Sequence, residues 1–127
     1  MAKGRFGTTI NCMDGRVQEP ALAWMKAKYG LDYVDVITEP GPVKLMTEPD
    51  PVVIESIRKR VLISVEKHHS NVIAIAGHHD CAGNPAARDE QVAQIRKSIE
   101  LLKTWNLNVT LIGLYVTDDW SVTVVQE

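Results

Sequence analysis

Residues 71–81 read Asn-Val-Ile-Ala-Ile-Ala-Gly-His-His-Asp-Cys. The run from Val72 to Ala76 is apolar without alternation, so both faces of the strand it predicts, Asn71 to Ala76, must be covered. Such strands sit centrally in parallel sheets. Directly beyond the strand's carboxyl end come two histidines and a cysteine. In open parallel sheets, ligands bind beyond the carboxyl ends of the strands, near the point where strand order reverses.

On either side, strands alternate with helices. Phe6 to Asn11 reads as a first short strand and Val17 to Tyr29 as a helix, with Pro20 tolerated in its first turn and Gly30 as its stop. The β-branched and aromatic Tyr33 to Thr38 is a second strand. Glu39 to Asp50 holds Pro40, Gly41, Pro42 and Pro49 and reads as a loop. Pro51 to His69 is a long helix with Asp50 as N-cap. Val53, Ile57, Val61 and Val65 form one apolar stripe, and Ile54, Leu62 and Ile63 add a second, a hint of a dimer interface. Pro85 to Trp105 is a helix, with Asn84 as N-cap and Val92, Ile95, Ile99 and Leu102 as its stripe. Asn108 to Val116 and Ser121 to Gln126 are strands paired as a hairpin about the Asp118-Asp119-Trp120 turn, so the last is antiparallel. The expectation is an α/β domain of three layers. Its mostly parallel sheet has about five strands in the order 2-1-3-4-5, with helices on both faces.

The chain has 127 residues, a single-domain length covering 1–127 and enough for a core without disulfide staples. Hydrophobic residues make up 45% and charged residues 24%, which argues against disorder. Fourteen basic residues against sixteen acidic ones give a net charge of −2, and no electrostatic reason to hold a nucleic-acid backbone or an anionic membrane. No targeting or membrane segment is visible, so the cytoplasm is the expected location. Two cysteines make no disulfide framework, and in the cytosol they would stay reduced.

Both cysteines fall at predicted strand ends. Strand one ends in Cys12-Met13-Asp14-Gly15-Arg16, and strand three ends in Gly77-His78-His79-Asp80-Cys81. Adjacent ends of a parallel sheet can meet in space. Cys12, Cys81 and one of the neighbouring histidines could then form a three-point metal site that suits zinc and leaves a fourth position open. The competing readings are two unrelated buried cysteines, or a disulfide. Gly77 and Gly83 flank the second half-site and are expected to allow tight turns. The start of the last helix would turn its positive end toward Cys81.

Cys-x-Asp-x-Arg followed by His-x-x-Cys, each after a strand of an α/β sheet, resembles the β-class carbonic anhydrases. The likeness runs over nearly the whole chain, including Leu111 to Val116 and the hairpin after it. It implies one zinc ion per chain on Cys12, His78 and Cys81. It also implies an aspartate–arginine pair at Asp14 and Arg16, and hydration of carbon dioxide to bicarbonate by zinc-bound hydroxide. On this reading Asp14 orients the hydroxide, and Arg16 holds Asp14 ionised and off the metal. Were Arg16 to let go, Asp14 could become a fourth ligand and close the site. The family is dimeric, so a homodimer or higher homo-oligomer is expected.

The chain departs from the family in places. Where the family carries an Arg-Asn-Ala-Gly-Asn run after strand two, this chain reads Thr38-Glu39-Pro40-Gly41-Pro42. Gly41 can keep a backbone role, and Glu39 is either a carboxylate near the site or a solvated loop residue. Ala82 replaces a preferred glycine. The family's N-terminal helices are not expected here, because strand one is read almost at the first residue, and its pocket glutamine does not map onto this sequence. These departures bear on substrate and turnover. Carbonyl sulfide or carbon disulfide hydrolysis, a catalytically silent zinc protein and a redox dithiol are the alternatives. His79 is either a proton shuttle or a rim residue. His68 and His69 are expected to complement a helix C-terminus. Trp24, Trp105 and Trp120 read as core or interface rather than substrate contacts.

Overall fold

The computed structural model describes residues 3–48 and 50–127. Its elements are β1 (Phe6–Cys12), α1 (Gly15–Tyr29), β2 (Tyr33–Glu39), α2 (Pro42–Leu45), α3 (Pro51–Leu62), β3 (Val72–His78), α4 (Arg88–Lys103), β4 (Thr110–Val116) and β5 (Val122–Gln126). The five strands form one sheet in the order β2-β1-β3-β4-β5, parallel except for the antiparallel β4–β5 pair. The expected order and the antiparallel last strand are both present.

The sequence pattern of β3 explains the layering. Ile73 and Ile75 face one way, packing with Ile57 and Val61 of α3, Val43 of α2 and Ile95, Ile99 and Leu102 of α4. Val72, Ala74 and Ala76 face the other way, beneath Met25 of α1 with Ile112 and Leu114 of β4. All seven β3 residues are buried. Truncating any of these isoleucines to alanine is expected to cost about 2–5 kcal/mol.

The ladder between β1 and β3 pairs Thr8–Ile73, Thr9–Ala74 and Ile10–Ile75 and stops there, while both strands run on to Cys12 and His78. After β1 the chain moves to one side, through α1 to β2. After β2 it crosses back, through α3, to β3. The gap opening past Ile10 and Ile75 is thus the switch point of the sheet, where the topology leaves room for a ligand.

Several boundaries differ from expectation. β1, β2 and β3 run on to Cys12, Glu39 and His78, so two cluster residues end strands. β4 starts at Thr110 and β5 at Val122. The span 39–50 is not all loop: Pro42–Leu45 forms a short helix that seats the buried Val43. Helix α1 opens at Gly15, capped by the Asp14 side chain on the Arg16 N–H, so Pro20 lies past the first turn. Gly30 ends the helix in the left-handed region at φ 62°, as expected. Asp50 caps α3 by accepting from the N–H groups of Val52 and Val53. That helix is α-helical only to Leu62; Ile63–Lys67 forms a wider π turn that seats the buried Ser64 against Thr8 and Asp35. Of its second apolar side, Ile54 and Leu62 are half-buried and Ile63 is exposed. Helix α4 starts at Arg88, not Pro85, with Ala87 and not Asn84 at its N-cap, and the Asn84 amide donates to Gln94 Oε1 at 2.7 Å.

Candidate metal centre

Cys12 closes β1, His78 closes β3, and Cys81 follows in the turn after β3. All three are buried, and their ligand atoms lie within 4.8 Å of one another. The two sulfurs are 3.8 Å apart and form no disulfide, so the alternative of unrelated cysteines does not hold. Burial and the neighbouring Cys12 push the Cys81 thiol up from its ordinary value, while backbone N–H groups of Asn84 and Gly83 pull it down. The N–H groups facing Cys81 therefore belong to the turn and not to the start of α4.

The orientation of His78 indicates what the cluster is built for. Its Nδ1 lies 2.7 Å from the carbonyl oxygen of His79, so Nδ1 carries the proton and donates it. That leaves Nε2 as a bare acceptor. It is buried and has no hydrogen-bond partner among the described residues. Orphaned buried polar atoms are rare and costly, on the order of 1–3 kcal/mol. A bare ring nitrogen on a histidine clustered with two thiols, with the other ring nitrogen fixed on a carbonyl, is the arrangement of a metal-binding histidine. Two thiols and one imidazole fit zinc, and three ligands leave a fourth position free.

The backbone of His78 is held by Gln91 of α4. The His78 N–H donates to Gln91 Oε1 at 3.1 Å, and Gln91 Nε2 donates to the carbonyls of His78 at 2.9 Å and Ala86 at 3.1 Å. Gly77 makes this possible, since a Cβ there would stand 2.6 Å from Gln91 Oε1. Its role is close approach and not a turn. The same holds for Gly83, where a Cβ would lie 2.6 Å from the carbonyl carbon of Pro40, and for Gly41, 2.8 Å from that of Gly83. The loops after β2 and β3 thus meet backbone to backbone, and Gly41 sits in the left-handed region at φ 63°.

Asp14 and Arg16 pair as expected. The guanidinium donates from Nε to Oδ1 at 3.1 Å and from Nη2 to Oδ2 at 2.7 Å. The side-chain bonds from Arg16 hold the Asp14 carboxyl down at about 2, and Asp14 in turn raises Arg16. Asp14 faces Arg16 and is not among the clustered ligand atoms. Gln18 ties this corner to β1, donating from Nε2 to the carbonyls of Cys12 and Asp14, each at 2.8 Å, and accepting from Asn11.

The remaining expectations divide. Glu39 pairs with Arg60 of α3 at 3.5 Å and is directed toward that helix. His79 is exposed, and its side chain lines a surface hollow with Arg88, Tyr115 and Asp118. His68 does not serve the helix end: its Nδ1 lies 2.6 Å from Asp35, and its ring stacks on Phe6. Trp24 and Trp105 pack on the two cores. Trp120 belongs instead to the site. It packs on Cys12, Val17, Cys81 and Val116, with its ring 6.5 Å from that of His78 and 4.5 Å beneath the Arg16 guanidinium. Trp120 adopts φ 63° and Asp80 φ 56°. For a bulky residue that conformation costs on the order of 1–2 kcal/mol. Trp120, Asp80, Gln91 and Gln18 were not legible as site residues. The one available signal was an aromatic in a turn at the ligand-bearing end of the sheet.

The family described as "Putative carbonic anhydrase" matches residues 2–126. Comparison with curated proteins finds no match. Among solved structures, a carbonic anhydrase from Glaciozyma antarctica is similar over 93% of this chain and 80% of its own, with 14% identity and a TM-score of 0.61. The β-carbonic anhydrase CafA of Aspergillus fumigatus aligns over 97% of this chain and 76% of its own, with 14% identity and a TM-score of 0.49. At such identity the structural likeness bears on fold alone; the sequence match spans nearly every residue, and the chain belongs to the β-carbonic anhydrase family.

Proposed function

We propose that the chain is a zinc-dependent carbonic anhydrase that reversibly hydrates carbon dioxide to bicarbonate. Cys12, His78 and Cys81 would hold one zinc ion per chain, with the His78 Nδ1 proton anchored on the His79 carbonyl. Bound there, zinc would act as a Lewis acid that makes a water molecule reactive toward a small electrophilic carbon at neutral pH. Asp14 is kept ionised by Arg16, so it accepts a hydrogen bond from the attacking water and orients its lone pair. Arg16 keeps the carboxylate out of the open position. His79, exposed beside the cluster, can pass protons to buffer, and Glu39, next to Cys12 in the sheet, pairs with Arg60. A cytoplasmic homodimer completes the proposal. The exposed Tyr33 and Val36 on edge strand β2, with the exposed Val52 and Ile63 on α3 and its π turn, supply apolar surface for it.

The observation that carries this reading is the His78 Nε2, without a hydrogen-bond partner among the described residues and clustered with two thiols, with Asp14 held on Arg16. The experiment is stopped-flow carbon dioxide hydration on protein of measured zinc content, above and below pH 8, with Asp14→Asn as control. The expected result is turnover that rises with pH and collapses in the variant. A fully zinc-loaded protein without turnover overturns the assignment. Running the same protein on carbonyl sulfide and carbon disulfide then tells hydrolysis of a related molecule from a silent zinc site.

A further inference from the structure

Arg16 is held from three directions. Asp14 takes its fork. Asp80, between the two second-half ligands His78 and Cys81, takes Nη1 on its carboxylate at 3.3 Å and Nη2 on its carbonyl at 3.1 Å. Trp120 presents its ring face to the guanidinium at 4.5 Å. An Asp14–Arg16 pair alone would be a half-exposed ion pair at the start of a helix, free to rearrange. The other two contacts come from the turns after β3 and β4, and both turns place their residue at positive φ. The Trp120 turn is closed on itself: its N–H donates to the Thr117 carbonyl at 2.9 Å, and Asp119 accepts from the Thr117 hydroxyl and the Ser121 N–H. A backbone that holds a tryptophan in the left-handed region, with its ring flat on a guanidinium, fixes where that guanidinium can sit.

We propose that Trp120, with Asp80, is a positioning residue that clamps Arg16 and so decides whether Asp14 stays off the metal or swings onto it. The inference rests on the metal site proposed above and goes beyond it. It assigns control of the open and closed forms to the β4–β5 turn, far in sequence from the Asp-x-Arg pair. In this chain the open form is not a property of the pair alone. Loss of the aromatic face frees the guanidinium to follow solvent, and Asp14, released, can take the fourth position.

The test uses Trp120→Leu, which keeps bulk without the ring face, and Trp120→Phe, which keeps the face. Two readouts are independent of turnover. In metal-free protein, the Arg16 Nε–H resonance should show slow hydrogen exchange in wild type and in Trp120→Phe, and fast exchange in Trp120→Leu. In cobalt-loaded protein, wild type should give an absorption spectrum that changes on azide addition. Trp120→Leu should lose most of that response, a shift toward the closed form of about five- to tenfold. The Asp14→Asn, Trp120→Leu double variant should regain the azide response, because no carboxylate remains to occupy the position, and regaining it shows the fold intact. Equal Arg16 exchange in wild type and Trp120→Leu overturns the proposal, as does an unchanged azide response in Trp120→Leu. Absence of carbon dioxide turnover in wild type would sink the carbonic anhydrase reading while leaving both readouts to decide the clamp.

Discussion

Two regions along β1 bury polar side chains, and they are built on opposite principles. Near its amino end, Thr8 donates to Ser70 at 2.7 Å, Ser70 donates to the Val72 carbonyl at 3.1 Å and Ser64 donates to Asp35 at 2.7 Å. Asp35 also meets His68. Thr8, Ser64 and Ser70 are nearly inaccessible, and each is satisfied. At the carboxyl end, His78 is as deeply buried, yet its Nε2 is left bare beside two thiols. Each region has a histidine whose Nδ1 is anchored. One lies in a closed network and the other in an open one. A closed polar network specifies a fold, and an orphaned acceptor specifies a ligand.

The sharpest way to break this contrast is to remove ligands. Cys81→Ser or His78→Ala should weaken zinc affinity by more than about hundredfold, beyond what supporting residues give. Competition with a chromogenic chelator measures it, and unchanged affinity would place the metal elsewhere. Next in size, loading wild type with zinc at a hundredfold excess over its Kd should add about 2.7 kcal/mol of stability, seen as a higher Tm that chelation reverses. Adding zinc to Cys81→Ser should raise its Tm far less. Asp35→Ala and Gln91→Leu should then each cost on the order of 1–3 kcal/mol in urea unfolding, since each strands buried partners. They should separate in metal binding: Asp35→Ala leaves zinc affinity unchanged, while Gln91→Leu lowers it about 10–100-fold by loosening the His78 backbone.

The smallest effect concerns the turn behind Trp120. Hydrogen bonds from the Thr117 side chain, then from Ser121, hold the Asp119 carboxyl below its ordinary 3.8. A carboxyl lowered in the folded state stabilises the turn fully above pH about 4 and ceases to as pH falls through its lowered value. Amide shifts of Thr117 and Ser121 should therefore move together below pH 4 in an NMR titration, and Asp119→Asn should flatten that movement. Independent drifting of the two amides would mean that Asp119 does not organise the turn.

Much of the architecture was legible because its signals are local. The apolar run 72–76, Gly30 as stop and Asp50-Pro51 as start each depend on a few neighbouring residues, and the strand order follows from the alternation of elements. Cys12, His78 and Cys81 were legible because two short motifs each follow a strand. What escaped depends on contacts between distant segments. Asn84-Pro85 has the composition of a helix start, but α4 begins at Arg88, and the Asn84 amide reaches Gln94 within that helix. His68 looks like a helix-end histidine until the π turn swings it to Asp35. Gln91 and Trp120 carry no motif; they matter through what the fold sets beside them.

Cys12 and Cys81 stand 69 positions apart in the chain. Their meeting requires β1 to have paired with β3, with all of α1, β2, α2 and α3 folded between them. Thiol accessibility is therefore a clock for the fold. During synthesis Cys12 should stay open to alkylation until the third strand docks, and in the folded chain both thiols are buried. An ion seated between them would close a loop of more than half the chain, so holding it there would oppose the separation of β1 from β3.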